Sequence, residues 1–205
     1  MFAYLCFMNK ATLRTLYLQK RKAMASEVVH EQSLLIKQRF FESIDLSNVH
    51  YLHTFLPILK QQEINTLLIV DELRATYPHI KLVVPRSLPE TGELEHYLYD
   101  STQLELNKWG IPEPIPNHTT RVAEELIDAV LVPMLVADEQ GNRVGYGKGF
   151  YDRFLQKCRP DIQKIGLCFE EPILQIADTN ALDIPLSVVV SPLKVFVFNT
   201  SYTGL

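Results

Sequence analysis

A chain of 205 residues is long enough to bury one sizeable core. Its 47% hydrophobic and 21% charged residues match ordinary soluble proteins and exclude a mainly disordered state. The net charge of −4, from 20 basic and 24 acidic residues, argues against a general nucleic-acid binder, so any bound anion needs a local site.

The first residues, "MFAYLCFMNK", carry a short apolar run without a positively charged lead or a small-residue cleavage site. Met8 is an alternative start, which would make the residues before it an upstream extension. No later apolar stretch is long enough to cross a bilayer, so a cytoplasmic protein with no membrane partner is expected. Residues 9 to 45 lack Gly and Pro and are rich in helix formers. Leu13, Leu16, Tyr17 and Met24 trace one apolar face, and Ser26 with Glu27 marks the start of a second helix.

"VHYLHTFLP" (49–57) is expected as a strand, residues 63–78 as a helix stopped before Pro78, and "IKLVVPR" (80–86) as a buried strand. Strand, helix, strand in that order predicts a βαβ unit and a parallel sheet. "GELEHYLYD" alternates as an edge strand would, and "KWGIPEPIPN" suggests a proline-rich extended loop. Buried strands are expected again at 126–133, 164–169, 187–191 and 194–199. The expectation is one α/β domain over residues 1–205, with a central, mainly parallel sheet flanked by helices.

Three cysteines, Cys6, Cys158 and Cys168, form neither a disulfide framework nor a CxxC pair and suggest ordinary thiols in a reducing cytoplasm. The six histidines are scattered and offer no metal-binding pair.

Chemistry concentrates in "RVGYGKGFYDRF" (143–154), and four of the eight glycines lie between 141 and 149. Bare backbone before a helix can turn N–H groups toward an anion, with Lys148 and Arg143 adding charge. The spacing fits neither a Walker A loop nor a dinucleotide GxGxxG. From these residues alone, a phosphate cradle and a glycine-eased hairpin with a helix beyond it stay open as alternatives. Asp152 is favoured in the first turn of a helix, yet beside a phosphate it would need a divalent cation between them. Asp183 is a turn residue before a proline or a second metal ligand.

The stretch "VPMLVADEQGNRVGYGKGFYDRFL" (132–155) resembles the signature of the 5-formyltetrahydrofolate cyclo-ligase (methenyltetrahydrofolate synthetase) family. "KATLR", "FLPILKQQEINT", "VVPR", "WGIPEP", "GLCFEE" and "LDIPLSVVVS" follow in family order. The resemblance implies a fold like that of sugar-phosphate isomerases and CoA transferases, and an enzyme using ATP and Mg2+. ATP would phosphorylate the formyl oxygen of 5-formyltetrahydrofolate, and N10 would close the ring as phosphate leaves, giving 5,10-methenyltetrahydrofolate.

By position the resemblance assigns Lys10 and Arg14, one turn apart on a helix, to the nucleotide. Arg143, Val144, Gly145, Tyr146, Gly147, Lys148, Gly149, Phe150 and Tyr151 fall to its phosphates, with Lys148 and Arg143 the catalytic cations. Tyr146 through Phe150 also approach the folate, whose pocket includes Leu56 and Glu63. Trp109, the only tryptophan, is a pterin wall or a core residue. Asp152 and Asp183 match the metal positions. Met134, Ala137, Leu182 and Ser187 depart from the family pattern, Ser187 removing a carboxylate from the expected metal surroundings. No nucleic-acid partner is implied, and a monomer is expected. The alternatives are an isomerase or transferase of a phosphorylated metabolite, and a folate- or nucleotide-binding protein without turnover.

Overall fold

The computed structural model describes residues 8–108 and 110–198. Cys6, Trp109 and Asn199, all parts of expectations above, lie outside those residues. Helix α1 (Lys10–Lys22) starts where the Asn9 side chain accepts the Thr12 N–H at 2.9 Å, satisfying one orphan donor of the first turn. Helix α2 (Ser26–Ser43) follows, and then strand β1 (Tyr51–His53), helix α3 (Leu67–Thr76) and strands β2 (Lys81–Leu88) and β3 (Glu93–Leu98). Next come β4 (Leu104–Leu106), β5 (Pro112–Pro114), β6 (Ala129–Pro133), β7 (Val136–Ala137) and β8 (Arg143–Val144). Helix α4 (Phe150–Lys157) and strands β9 (Gln163–Leu167), β10 (Val188–Val190) and β11 (Val195–Val197) complete the described chain.

The main sheet has the order β11-β10-β9-β6-β1-β2-β3. The five inner strands run parallel, and an antiparallel strand closes each edge. Alternate residues serve the two faces. Leu52, Leu131, Ile165 and Val188 pack with Ile36 and Phe40 of α2 and Ile69 and Leu73 of α3. Val83, Val130, Val132 and Val189 pack with Phe154 and Leu155 of α4. Each such side chain, buried fully, contributes about 1.5–3 kcal/mol. A third cluster joins Leu13 and Tyr17 of α1 to Leu135, Val136 and Val144 around the β7–β8 hairpin.

The chain therefore forms a single α/β domain with a mainly parallel sheet between helices, as the strand–helix–strand pattern predicts. Among the described residues no helix is long and apolar enough to cross a membrane.

Several boundaries differ from the sequence reading. The strand expected over 49–57 is confined to Tyr51–His53, because Phe55 and Leu56 leave the sheet to line a cavity. The helix expected from 63 begins at Leu67, since Glu63 spends its carboxylate on the Ile58 N–H at 2.7 Å. The strand expected from 126 begins at Ala129, after a 3-10 turn over Glu124–Leu126. The expected proline-rich loop contains β5, which pairs antiparallel with β4. Pro85 sits within β2 without breaking it. Strand β1 pairs with β2 only as far as Val83, so beyond it the missing N–H faces no neighbour on that side.

Candidate active site

The strand order reverses between β1 and β6: β2 extends the sheet one way, and β9 and β10 the other. Connections leaving the carboxyl ends of those two strands diverge and open a crevice, the usual ligand position in open α/β sheets. A cavity of about 560 Å³ lies there, within the range of small-molecule sites. Phe55 and Leu56 after β1, Pro85 and Ser87 of β2, and Pro133 ending β6 form part of its wall. Lys10 and Arg14 of α1, Gly145–Asp152, Asp183 and the β4–β5 hairpin complete it.

The glycine stretch is aimed by the turn before it. Asp138 is fully buried, and its Oδ1 accepts the N–H groups of Gln140 and Asn142 while Oδ2 accepts that of Ile176. This fixes the β7–β8 hairpin, from which Gly145 enters the cavity. Gly147 and Gly149 adopt φ of 85° and 69°, the left-handed region that side chains resist. A Cβ on Gly147 would also come within 3.0 Å of the Arg14 guanidinium carbon. Arg14 Nε donates to the Gly145 carbonyl at 2.8 Å, holding α1 against the loop. Gly149 is the N-cap of α4 and brings no capping side chain, leaving the helix N-terminus to the cavity. Lys148 is exposed on the cavity wall, and among the described residues its ammonium has no ion-pair partner.

Two expected contributors behave differently. Val144 does not face the cavity; β8 pairs with β7, and its side chain is fully buried under α1. Arg143 lines the cavity but presents no free fork: Nη2 binds Asp152 Oδ1 at 2.6 Å and Nη1 donates to the Ile184 carbonyl. At 8% exposure the guanidinium needs such a counter-charge. Burial lowers its pKa, and the nearby carboxylates oppose that shift.

Asp152 and Asp183 both reach the cavity. Asp152 Oδ1 takes Arg143 and the Ile184 N–H, leaving Oδ2 without a hydrogen bond among the described residues. Both oxygens of Asp183 accept from Lys10 Nζ, and Oδ2 also accepts the Asn180 N–H. Hard carboxylate oxygens suit Mg2+, which usually takes one or two of them and fills its octahedron with phosphate and water. Among the described residues no three His, Cys, Asp or Glu side chains converge to form a complete protein cage. Asp152 Oδ2 is therefore the carboxylate oxygen open to a cation, whereas Lys10 occupies both oxygens of Asp183.

Leu56 and Glu63 line the same cavity. Glu63 is 5% exposed and sits directly after Gln62, the one non-glycine residue with positive φ (54°) among the described residues. Its Oε1 accepts the Tyr146 hydroxyl, which in turn accepts from Arg21 Nη1 at 2.6 Å. Burial, then the Glu63 charge, raises the Tyr146 pKa, so the hydroxyl stays a donor at neutral pH. Phe150 and Tyr151, at the start of α4, also line the cavity. The Tyr151 hydroxyl is raised too, chiefly by burial.

The sequence reading missed three features. Glu113 and Ser87 line the cavity, the first from a stretch expected to be a loop and the second from just beyond the strand expected over 80–86. Arg21 enters from α1 as a buried cation, signalled only by its place on that helix's apolar face. His53 and His96, two of the scattered histidines, meet with ring centroids 5.1 Å apart beside Tyr151 and Phe154.

The departures from the family pattern settle by packing. The Met134 thioether covers Gly166, where a Cβ would come within 2.7 Å of its methyl. Ala137 pairs with Arg143 in the small hairpin. Ser187 is buried between strands, its Oγ accepting the Lys164 N–H. Neither Ser187 nor Leu182, which is largely exposed, belongs to the cavity wall. The expected loss of a carboxylate near the metal therefore does not arise from Ser187.

A family model described as the 5-formyltetrahydrofolate cyclo-ligase family matches residues 7–192. A probable 5-formyltetrahydrofolate cyclo-ligase of Schizosaccharomyces pombe is 24% identical, over 92% of this chain and 97% of that one. The 5-formyltetrahydrofolate cyclo-ligase of Escherichia coli K12 is 26% identical, over 87% and 97%. The solved structure of Aquifex aeolicus 5,10-methenyltetrahydrofolate synthetase superposes with a TM-score of 0.77 at 25% identity, covering 93% of both chains.

Proposed function

The chain belongs to the 5-formyltetrahydrofolate cyclo-ligase family, and we propose that it uses Mg·ATP to convert 5-formyltetrahydrofolate to 5,10-methenyltetrahydrofolate, ADP and phosphate. The observation that carries this reading is a single cavity that joins a basic glycine wall to a carboxylate-bearing pocket.

An amide oxygen is a poor leaving group. Transfer of the γ-phosphoryl to the formyl oxygen turns it into phosphate, which N10 can then expel by attacking the formyl carbon. The protein's task is to hold two ligands in line and to neutralise charge as the phosphoryl moves. The N–H groups of Gly145–Phe150 and the α4 N-terminus receive the phosphates. Lys148, with no competing ion-pair partner among the described residues, supplies the cation at the transferring group, and Lys10 and Arg14 hold the nucleotide from α1. Arg143 acts through Asp152, fixing the carboxylate that would bind Mg2+ together with Asp183. Bound Mg2+ would neutralise the phosphate oxygens.

Leu56, Glu63, Tyr146 and Phe150 border the folate. Its pterin N–H groups take the place of the Tyr146 hydroxyl on Glu63. The free thiols Cys158 and Cys168, each pushed up to about 12 by burial, fit a reducing cytoplasm.

The test mixes purified protein with 5-formyltetrahydrofolate and Mg·ATP and follows the near-ultraviolet absorbance of the methenyl product. An ATP-dependent rise is expected. No rise with authentic folate would overturn the ligase reading, and ligand binding without a rise would favour a binding protein.

A further inference from the structure

Glu113 is the middle residue of "PEP" in β5, paired with Glu105 across the small hairpin. Flanking prolines fix φ on both sides and stiffen the position at which this carboxylate leaves the strand. It is 6% exposed and lies on the wall of the cavity.

Its two oxygens have different surroundings. Oε1 accepts three donors: the Ser87 N–H at 3.1 Å, the Ser87 hydroxyl at 2.5 Å and the Asn107 amide at 2.8 Å. Oε2 accepts none among the described residues and is not a sealed atom, and the residue stands on the cavity wall. No cation pairs with Glu113 among the described residues. The nearest candidate on β2, Arg86, is committed to Glu105 at 2.7 Å and to the Pro114 carbonyl at 2.8 Å. A nearly buried carboxylate oxygen with no donor is costly until a ligand provides one. Pro85, Leu94, Ile111 and Pro112 share that cavity wall and give it an apolar character suited to a flat ring. Glu63, by contrast, has both oxygens engaged, by the Ile58 N–H and the Tyr146 hydroxyl.

We infer that Glu113 is a substrate-binding residue whose Oε2 accepts one N–H of the pterin ring, while Oε1 ties the β4–β5 hairpin to β2. The inference rests on the cyclo-ligase reading and adds a second carboxylate to the pterin pocket.

The test compares the wild-type chain with Glu113→Gln and Arg86→Ala. The Gln side chain keeps an oxygen for the three internal donors but puts an N–H where the ring N–H must bind. We expect Glu113→Gln to raise the folate KM, and the folate Kd without ATP, by about 10- to 100-fold, the loss typical of a hydrogen bond to a charged group. The KM for Mg·ATP and the thermal midpoint stay near wild type. Arg86→Ala, which lies off the cavity wall and releases only the ties from β2 to Glu105 and to the Pro114 carbonyl, leaves the folate KM within about twofold.

An unchanged folate KM in Glu113→Gln overturns the inference. So does an equal folate defect in Arg86→Ala, which would trace the loss to the hairpin tie and make Glu113 a tie alone. A wild-type protein that neither binds nor turns over 5-formyltetrahydrofolate overturns the cyclo-ligase reading itself, and the pterin assignment with it.

Discussion

Lys148 and Asp152 stand four residues apart in one loop–helix junction, and their chemistry differs because their partners differ. Lys148 is exposed and unpaired among the described residues, so its charge is available to a ligand at no internal cost. Lys148→Met keeps much of the bulk and removes the charge. ATP turnover should fall by two orders of magnitude or more, roughly the effect of losing one charge-stabilising group, with the circular dichroism spectrum unchanged. Normal turnover would remove Lys148 from the phosphate site. Asp152 neutralises Arg143 through Oδ1, and in the proposed reaction its Oδ2 would hold the cation. Asp152→Asn keeps an oxygen for Arg143 but loses the charge that attracts the metal. The magnesium concentration for half-maximal rate should rise by about tenfold or more. An unchanged magnesium titration would leave Asp152 as a helix-terminal partner of Arg143 only.

At the scale of elements, α4 connects the site to the sheet. Its first turn carries Tyr151 and Asp152 at the cavity, and its second buries Phe154 against His53 of β1 and His96 of β3. Both imidazoles are buried without a hydrogen-bond partner in the described chain. Burial drives their pKa down, to about 3 for His96, with the Arg121 and Lys157 charges adding to the effect. A histidine with a depressed folded-state pKa binds its proton only after unfolding. Its contribution to stability is present above pH 6.5 and is lost as the pH falls from there toward 3. His96→Phe should remove that loss. Urea midpoints at pH 7, 5.5 and 4.5 should show wild type falling faster, the gap widening by roughly 1.4 kcal/mol per pH unit at most. Parallel pH profiles would mean that His96 is protonated in the folded state.

On the scale of the whole molecule, the cavity draws on residues of or just after β1, β2 and β6 and on α1 and α4, so a ligand held there would bridge both halves of the sheet. Binding should therefore stabilise the entire domain. With nucleotide and folate each near a hundred times its Kd, each ligand adds about 2.7 kcal/mol. That corresponds to a thermal midpoint higher by roughly 5–10 °C per ligand for a domain of this size. Calorimetry of the protein with each ligand alone and with both checks this. A midpoint that responds to neither ligand would contradict the assignment of the cavity.

Much of this protein was legible in its residues. The βαβ order, the alternation in β3 and the glycine stretch before α4 follow from local propensity and period, which adjacent residues determine. The glycine motif also located one wall of the site, because φ values of 85° and 69° at Gly147 and Gly149 demand that residue type. The length of β1 did not follow, since Phe55 and Leu56 are apolar enough to continue a strand yet turn out to line a cavity. Nor did the meeting of Lys10 with Asp183, Arg21 with Tyr146, or His53 with His96, which lie far apart in sequence. Glu113 was hidden in a proline-rich stretch whose pairing depends on β4. The sequence by itself determined the class of fold, the family and the glycine stretch that walls the cavity. Tertiary structure alone decided which charges were free to act, because a side chain's availability depends on the partners that long-range packing brings to it.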